Sequence, residues 1–269
     1  MKKTSPWAWI PTLYFAQGLP YVAVTIISLV MYKRLGISNT ELAFYTGWLN
    51  LPWVIKPLWS PFIDLIKTKR RWIVTMQMLI GAGLAGIAFT IPTEYFFQLT
   101  LALFWLLAFS SATHDIAADG FYMLALDSHE QALFVGIRST FYRIATIAGQ
   151  GLLIMLAGRL ETVTGNIPYA WSITFFVLAG IFLAVWLYHR FILPHPAADH
   201  PAKEVSASGL MKEFFTTFTT FFQCYTLINI QLAKIMLSRT SNQTSHCSSS
   251  FRQIIQDRFQ LVNSILISF

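Results

Sequence analysis

The sequence predicts an all-α membrane protein whose body is six spanning helices, followed by a linker, an amphipathic helix and an irregular tail. Three observations predict it. Only 12% of the 269 residues are charged, about half the share of a soluble domain. The mean hydropathy is +0.54. The apolar residues also gather into runs that can cross a hydrocarbon core of about 30 Å at about 1.5 Å per residue. The net charge is +7. In a soluble chain that would suggest nucleic acid. Here the basic residues sit in loops and at the N-terminus, where they orient helices, so no nucleic-acid partner is expected. The two cysteines, Cys224 and Cys247, give neither a disulfide framework nor metal-ligand spacing, and no metal or other cofactor is expected.

The first span is placed at residues 7–31, within MKKTSPWAWIPTLYFAQGLPYVAVTIISLVMY. The run is too long for the core of a signal peptide and no small-x-small cleavage site follows, so it reads as a retained helix. The second span is placed at 41–60, with Pro52, Pro57 and Pro61 bending its end and freeing backbone carbonyls. The third to sixth are placed at 72–92, 97–125, 131–158 and 168–192, with a tight turn around Ser128 and His129 between the fourth and fifth. Lys2, Lys3, Lys67, Lys69, Arg70, Arg71, Arg190, Lys203 and Lys212 then fall on one side, against Lys33, Arg34 and Arg159 on the other. The positive-inside rule makes the richer side cytoplasmic and puts both termini there.

Residues 193–209, LPHPAADHPAKEVSASG, have linker composition, and LMKEFFTTFTTFF at 210–222 has the spacing of a surface-lying amphipathic helix. The character changes at Cys224. All 14 glycines, 11 prolines and nine tryptophans precede residue 210, and no run in the tail reaches spanning length. The organisation expected is therefore a six-helix domain at 1–193, a cytoplasmic linker with amphipathic helix at 194–223 and an atypical tail at 224–269.

Charges inside a span cost about 2.5–3.5 kcal/mol each on insertion scales, so they mark function by default. The fourth span carries His114, Asp115 and Asp119, in SSATHDIAADGFYML, and the two aspartates, four apart, share a helix face. The fifth carries Arg138 and Arg143. Counting from the turn, Asp119 and Arg138 lie roughly 12 and 14 Å deep, and Asp115 and Arg143 roughly 20 Å each. Two acid–base pairs lining a polar cavity are expected. Their alternative is a purely structural role, holding helices together. His114 reads equally as a proton carrier or as a satisfied interhelical contact. Lys56, in PWVIKPLWSPFID, either snorkels to the surface or turns inward to an anion; the surrounding prolines favour the inward reading.

FAQGLPYV in the first span, VIKPLWSPFID, KRRWIVTMQ and SSATHDIAADGF resemble the AmpG-type muropeptide permeases of the major facilitator superfamily. The resemblance covers about residues 7 to 222. It implies a six-helix N-terminal half of a twelve-helix major facilitator fold, with substrate held near the midplane between two halves. It implies a proton-driven importer of the bacterial inner membrane for sugar–peptide fragments of peptidoglycan. On this reading Lys56, Arg138 and Arg143 meet carboxylates, and Tyr14, Gln17, Tyr142 and Gln150 bond hydroxyls and amides. Asp115, Asp119 or His114 carries the proton, since burial raises a carboxyl pKa and a neighbouring arginine lowers it. Asp64, Arg70 and Arg71 resemble the superfamily's loop two–three gating motif, a partial fit with Ser60 at its first glycine and Leu65 at its arginine.

The expected partners are the lipid bilayer, a small muropeptide-like substrate, protons, and a second half-transporter or a second copy. Two readings of the chain compete. One is a natural six-helix protein. The other, favoured by the tail's composition, is a frameshifted or truncated transporter whose residues 224–269 carry no designed role. Other solutes fit a cationic cavity, such as an acyl-coenzyme A or an organic anion, and a non-transporting membrane interaction protein is a further alternative. No HExxH, GxSxG or Cys/His spacing supports an enzyme.

Overall fold

The computed structural model describes residues 4–60, 63, 67–196, 199 and 219, and all regular structure among them is helical. Helix α1 spans Pro6–Arg34. It changes pitch at Ala23–Ile27, a π turn three residues after Pro20. Proline has no N–H for the carbonyl four residues back, and a π turn is one way a helix absorbs that loss. The predicted second span is not one helix. It is α2 (Asn39–Trp48), α3 (Leu51–Ile55) and a 3-10 turn at Lys56–Leu58. Pro52 and Pro57 lack the N–H groups that the carbonyls of Trp48 and Trp53 would need, so the α ladder stops twice.

The other four predicted spans are continuous helices: α4 (Lys69–Thr90), α5 (Phe96–Ala125), α6 (Ser128–Thr164) and α7 (Ile167–Ile192). With α1 they make five helices long and apolar enough to cross a membrane among the described residues. Helix α6 is longer than expected at both ends. Asp127 accepts from Glu130 N at 2.8 Å and Glu130 returns the bond to Asp127 N at 3.2 Å, so Ser128 and His129 belong to the helix and not to the turn before it. Gly165, at φ 63°, closes the other end. The linker and amphipathic helix lie outside the described residues except for 194–196, Asp199 and Thr219, and the tail at 224–269 lies outside them entirely.

Helix α4 packs on α5 and α7, and α1 packs on α6 and α5. The buried apolar residues form two clusters. One joins Val22 and Ile27 of α1 to Leu84, Phe104, Phe175 and Phe182. The other joins Trp9 and Leu13 of α1 to Ile73, Phe121 and Leu193. Between them, along α4, α5 and α7, lie Gln77, Ser110, Ser111, His114, Asp115 and His189, all buried. A polar band therefore separates two apolar cores. At the far end, Arg34 ion-pairs with Glu161, which also accepts from Trp171 Nε1 at 2.8 Å, tying α1, α6 and α7.

Glycine is required where α1 meets α6. A Cβ on Gly18 would lie 2.8 Å from Tyr142 O and 2.9 Å from the Ala145 Cβ. Gly18→Ala is expected to lower stability by about 1–3 kcal/mol, because backbone must move to admit the methyl. Gly136→Ala, with open space around its Cβ, is expected to be neutral or slightly stabilising. Thermal unfolding in detergent of the two variants checks the contrast.

Candidate functional site

The site is built around α5. Asp115 and Asp119 lie one turn apart and face α1 and α3. Asp119 Oδ1 accepts from the Tyr14 hydroxyl at 3.1 Å and lies 3.4 Å from Arg138 Nη2. The Arg138 guanidinium sits over two rings, 4.9 Å from the centre of Tyr14 and 5.0 Å from that of Tyr122. Those rings meet edge to face at 6.1 Å. A planar cation held between aromatic faces and a carboxylate is oriented as well as neutralised. The expected Arg138–Asp119 pair is thus present, and it ties α5 to α6. Its side chains are 26% and 40% exposed, so its net contribution to stability is modest.

Asp115 is set deeper. Its Oδ2 accepts from Trp53 Nε1 at 3.2 Å. Trp53 comes from α3 and packs edge to face on Tyr21 at 5.2 Å. The break between α2 and α3 thus has a consequence for the site, since it delivers Trp53 and the 3-10 turn holding Lys56. Lys56 is half-buried, and its charge acts on Asp115 more than that of any other cation. This favours the inward reading of Lys56. Asp115 Oδ1 and Gln17 Oε1 are both buried without a hydrogen-bond partner, and the Gln17 side chain lies close to Asp115.

The second expected pair, Asp115 with Arg143, does not form. Arg143 is exposed and makes no ion pair among the described residues. The reason is angular. Depth along the axis is the same, but residues 138 and 143 are five apart, which turns the side chain by about 140° around a helix. Once Arg138 faces α5, Arg143 cannot. Tyr142, one residue earlier, is half-buried and lies near Asp115, Asp119 and Tyr21. Gln150 is half-buried two turns further along α6.

His114 does not join the aspartates. Its Nε2 lies 3.0 Å from Gln77 Nε2, and Gln77 Nε2 lies 2.9 Å from His189 Nδ1. His189 Nε2 lies 2.9 Å from Thr12 Oγ1, which donates to Trp9 O at 3.1 Å. The protons can be assigned from that end. Thr12 gives its proton to Trp9 O, so it accepts from His189 Nε2–H. His189 Nδ1 lies 2.9 Å from Gln77 Nε2 and 3.1 Å from Gln77 Oε1, and with the His189 proton on Nε2 it accepts from the Gln77 NH2 group, which also faces His114 Nε2. The chain joins α1, α4, α5 and α7. Sequence reasoning did not single out Thr12, Gln77 or His189. The available signal was a polar residue inside an apolar span, which is costly unless partnered.

The gating residues are placed only in part. Asp64 lies outside the described residues. Arg70 binds the end of α7, donating from Nε to Leu193 O at 3.2 Å and from Nη2 to Arg190 O at 2.6 Å. Arg71 is exposed, and its backbone N–H donates to the capping Thr68 at 3.3 Å.

A family model described as the BT1 family matches residues 15–266. An uncharacterized protein of Haemophilus influenzae is 30% identical over 184 residues, covering 64% of this chain and 40% of that protein. The anhydromuropeptide permease of Escherichia coli K12 is 28% identical over 153 residues, 55% of this chain and 30% of the permease. An uncharacterized protein of Schizosaccharomyces pombe is 27% identical over 197 residues, 67% of this chain and 36% of that protein. The resemblance to AmpG-type permeases drawn from the motifs is borne out. The chain spans between 30% and 40% of the length of these relatives.

Two outcomes are expected. His189→Ala leaves Thr12 with Trp9 O alone and Gln77 with His114 alone, and the lost buried bonds are expected to cost about 1–3 kcal/mol beyond the lost packing, read as a lowered melting temperature. In a double-mutant cycle, Arg138→Gln and Asp119→Asn are expected to couple by about 0.5–1 kcal/mol. Additive effects would mean the two charges do not sense each other.

Proposed function

The chain belongs to the BT1 family, and from that membership we propose that it is the first six-helix half of a secondary active transporter that imports anionic sugar–peptide fragments with protons. Its expected place is the bacterial inner membrane. The observation that carries the reading is the surroundings of Asp115. Asp115 Oδ1 and Gln17 Oε1 are both buried without a hydrogen-bond partner, and the Gln17 amide lies beside Asp115. A proton on Asp115 Oδ1 satisfies both atoms at once by donation to Gln17 Oε1. Turning the Gln17 amide over serves the ionised form equally, through its NH2 group. A partner that can bond either protonation state is what a proton carrier needs.

The substrate's carboxylates are assigned to Lys56, Arg138 and the exposed Arg143, and its hydroxyls and amides to Tyr14, Gln17, Tyr142 and Gln150. Asp119, already bonded to Tyr14 and Arg138, is assigned to orienting Arg138, and Asp115 to the proton. His114, engaged with Gln77, is assigned to the helix junction. The substrate class follows from the similarity to the anhydromuropeptide permease, and the complement is a second six-helix half against which this one rocks.

The test is uptake of labelled anhydromuropeptide into proteoliposomes holding the full chain, with and without an imposed proton gradient. Gradient-dependent accumulation is expected, falling to background in Asp115→Asn with unchanged helix content. Gradient-dependent uptake that survives Asp115→Asn would remove Asp115 as the carrier. No uptake by correctly folded protein would remove transport by this chain.

A further inference from the structure

The basic residues at the α4–α7 end do more than mark one side of the membrane. Lys67, Arg70, Arg71 and Arg190 converge on one cavity of about 370 Å³, whose remaining wall is Val74, Thr75 and Phe191. The cations come from a loop and from two helices that are distant in sequence, so helix packing has gathered them. Orientation alone would leave them dispersed.

Three of them are held in place. Arg70 is fixed by the carbonyls of Leu193 and Arg190. Lys67 lies over the Trp72 ring at 6.0 Å and Arg190 over the Trp186 ring at 5.7 Å. Arg70 and Arg190 are close enough to repel each other. Among the described residues, one carboxylate reaches this cluster. Asp199 accepts from the backbone N–H groups of Lys69 at 2.7 Å and Arg70 at 3.1 Å. Crowded, ordered cations with one compensating acid among the described residues suit an anion.

The position identifies which anion. Helix α4 begins at Lys69 and α7 ends at Ile192, so the cavity sits where the spans meet water. The flanking tryptophans are interfacial residues by type. Val74 lies about one turn into the span, and Phe191 is 77% exposed. A soluble anion has no use for that apolar wall. A phospholipid presents its phosphate to the cations and its acyl chain to the wall, and basic pockets between spanning helices take such headgroups. We propose that this cavity binds the phosphodiester headgroup of an anionic phospholipid. The site uses none of the residues assigned to substrate or proton, and it shares Arg70 and Arg71 with the expected gating motif.

The test is native mass spectrometry of the full chain in neutral detergent, titrated with phosphatidylglycerol or with phosphatidylcholine of matched acyl chains. Each basic residue near an anionic lipid contributes roughly fivefold in affinity. Phosphatidylglycerol is therefore expected to be retained over phosphatidylcholine by about tenfold or more. Arg71→Gln/Arg190→Gln is expected to lose that preference while keeping its melting temperature, and Arg71→Lys/Arg190→Lys to keep much of it. Equal retention of the two lipids by the unsubstituted protein, or an undiminished preference in the glutamine variant, would overturn the proposal. Displacement of phosphatidylglycerol by millimolar inorganic phosphate would overturn it differently, by showing a site for a free anion.

Discussion

A polar group inside a membrane bundle has no water to fall back on, and that constraint organises this molecule. The chain from Thr12 through His189 and Gln77 to His114 is its clearest expression. Four helices each contribute one side chain, and the chain ends on the backbone carbonyl of Trp9. Every helix in it is fixed in rotation and in height by hydrogen bonds that work at one register. The apolar clusters above and below tolerate small slips, because dispersion and burial are not directional. The polar band does not. It therefore sets how α5 is turned, and with it the direction in which Asp115 and Asp119 point.

The two aspartates then find themselves in unlike settings, although one turn separates them. Asp119 has a hydroxyl, a guanidinium and partial exposure. Asp115 has an indole N–H, a nearby ammonium and one oxygen with nothing to accept. A carboxylate bonded to a hydroxyl and a guanidinium holds its neighbours in place. One with an unmet oxygen leaves a position open for a further partner. The difference originates in α3, where two prolines interrupt the ladder and swing Trp53 and Lys56 toward α5. A continuous helix over the same residues would have left that side of Asp115 to whatever else packed there.

The ends of the bundle are closed by different chemistry. At one end Arg34, Glu161 and Trp171 tie three helices with a single acid. At the other, Arg70 caps the last carbonyls of α7 while Asp199, from beyond α7, caps the first N–H groups of α4. Both ends use groups that a helix leaves unsatisfied. The second joins the segment after the last span to the start of the third, so Arg70 serves as a clamp between helices in addition to its place in the basic cluster.

The sequence by itself determined that the chain crosses a membrane, where four of its later spans lie and that Asp115 and Asp119 share a face. Each of these follows from composition or from helical period, which are local. It also reached the Arg138–Asp119 pair, because depth along two helices joined by a short turn can be counted. It did not reach the fate of Arg143, since depth without rotation leaves the facing side open, and the five-residue offset from Arg138 decides it. The pairing of His114 with Gln77 and His189 was beyond it as well, because those partners sit 37 residues ahead in the chain and 75 behind, on helices whose neighbours only packing chooses. The prolines near Lys56 predict bends and the helix breaks there outright, and only the packing shows that the break brings Trp53 to Asp115 on α5. Local periodicity fixes which residues lie inside the membrane. Only the packing of helices against one another fixes which of them meet.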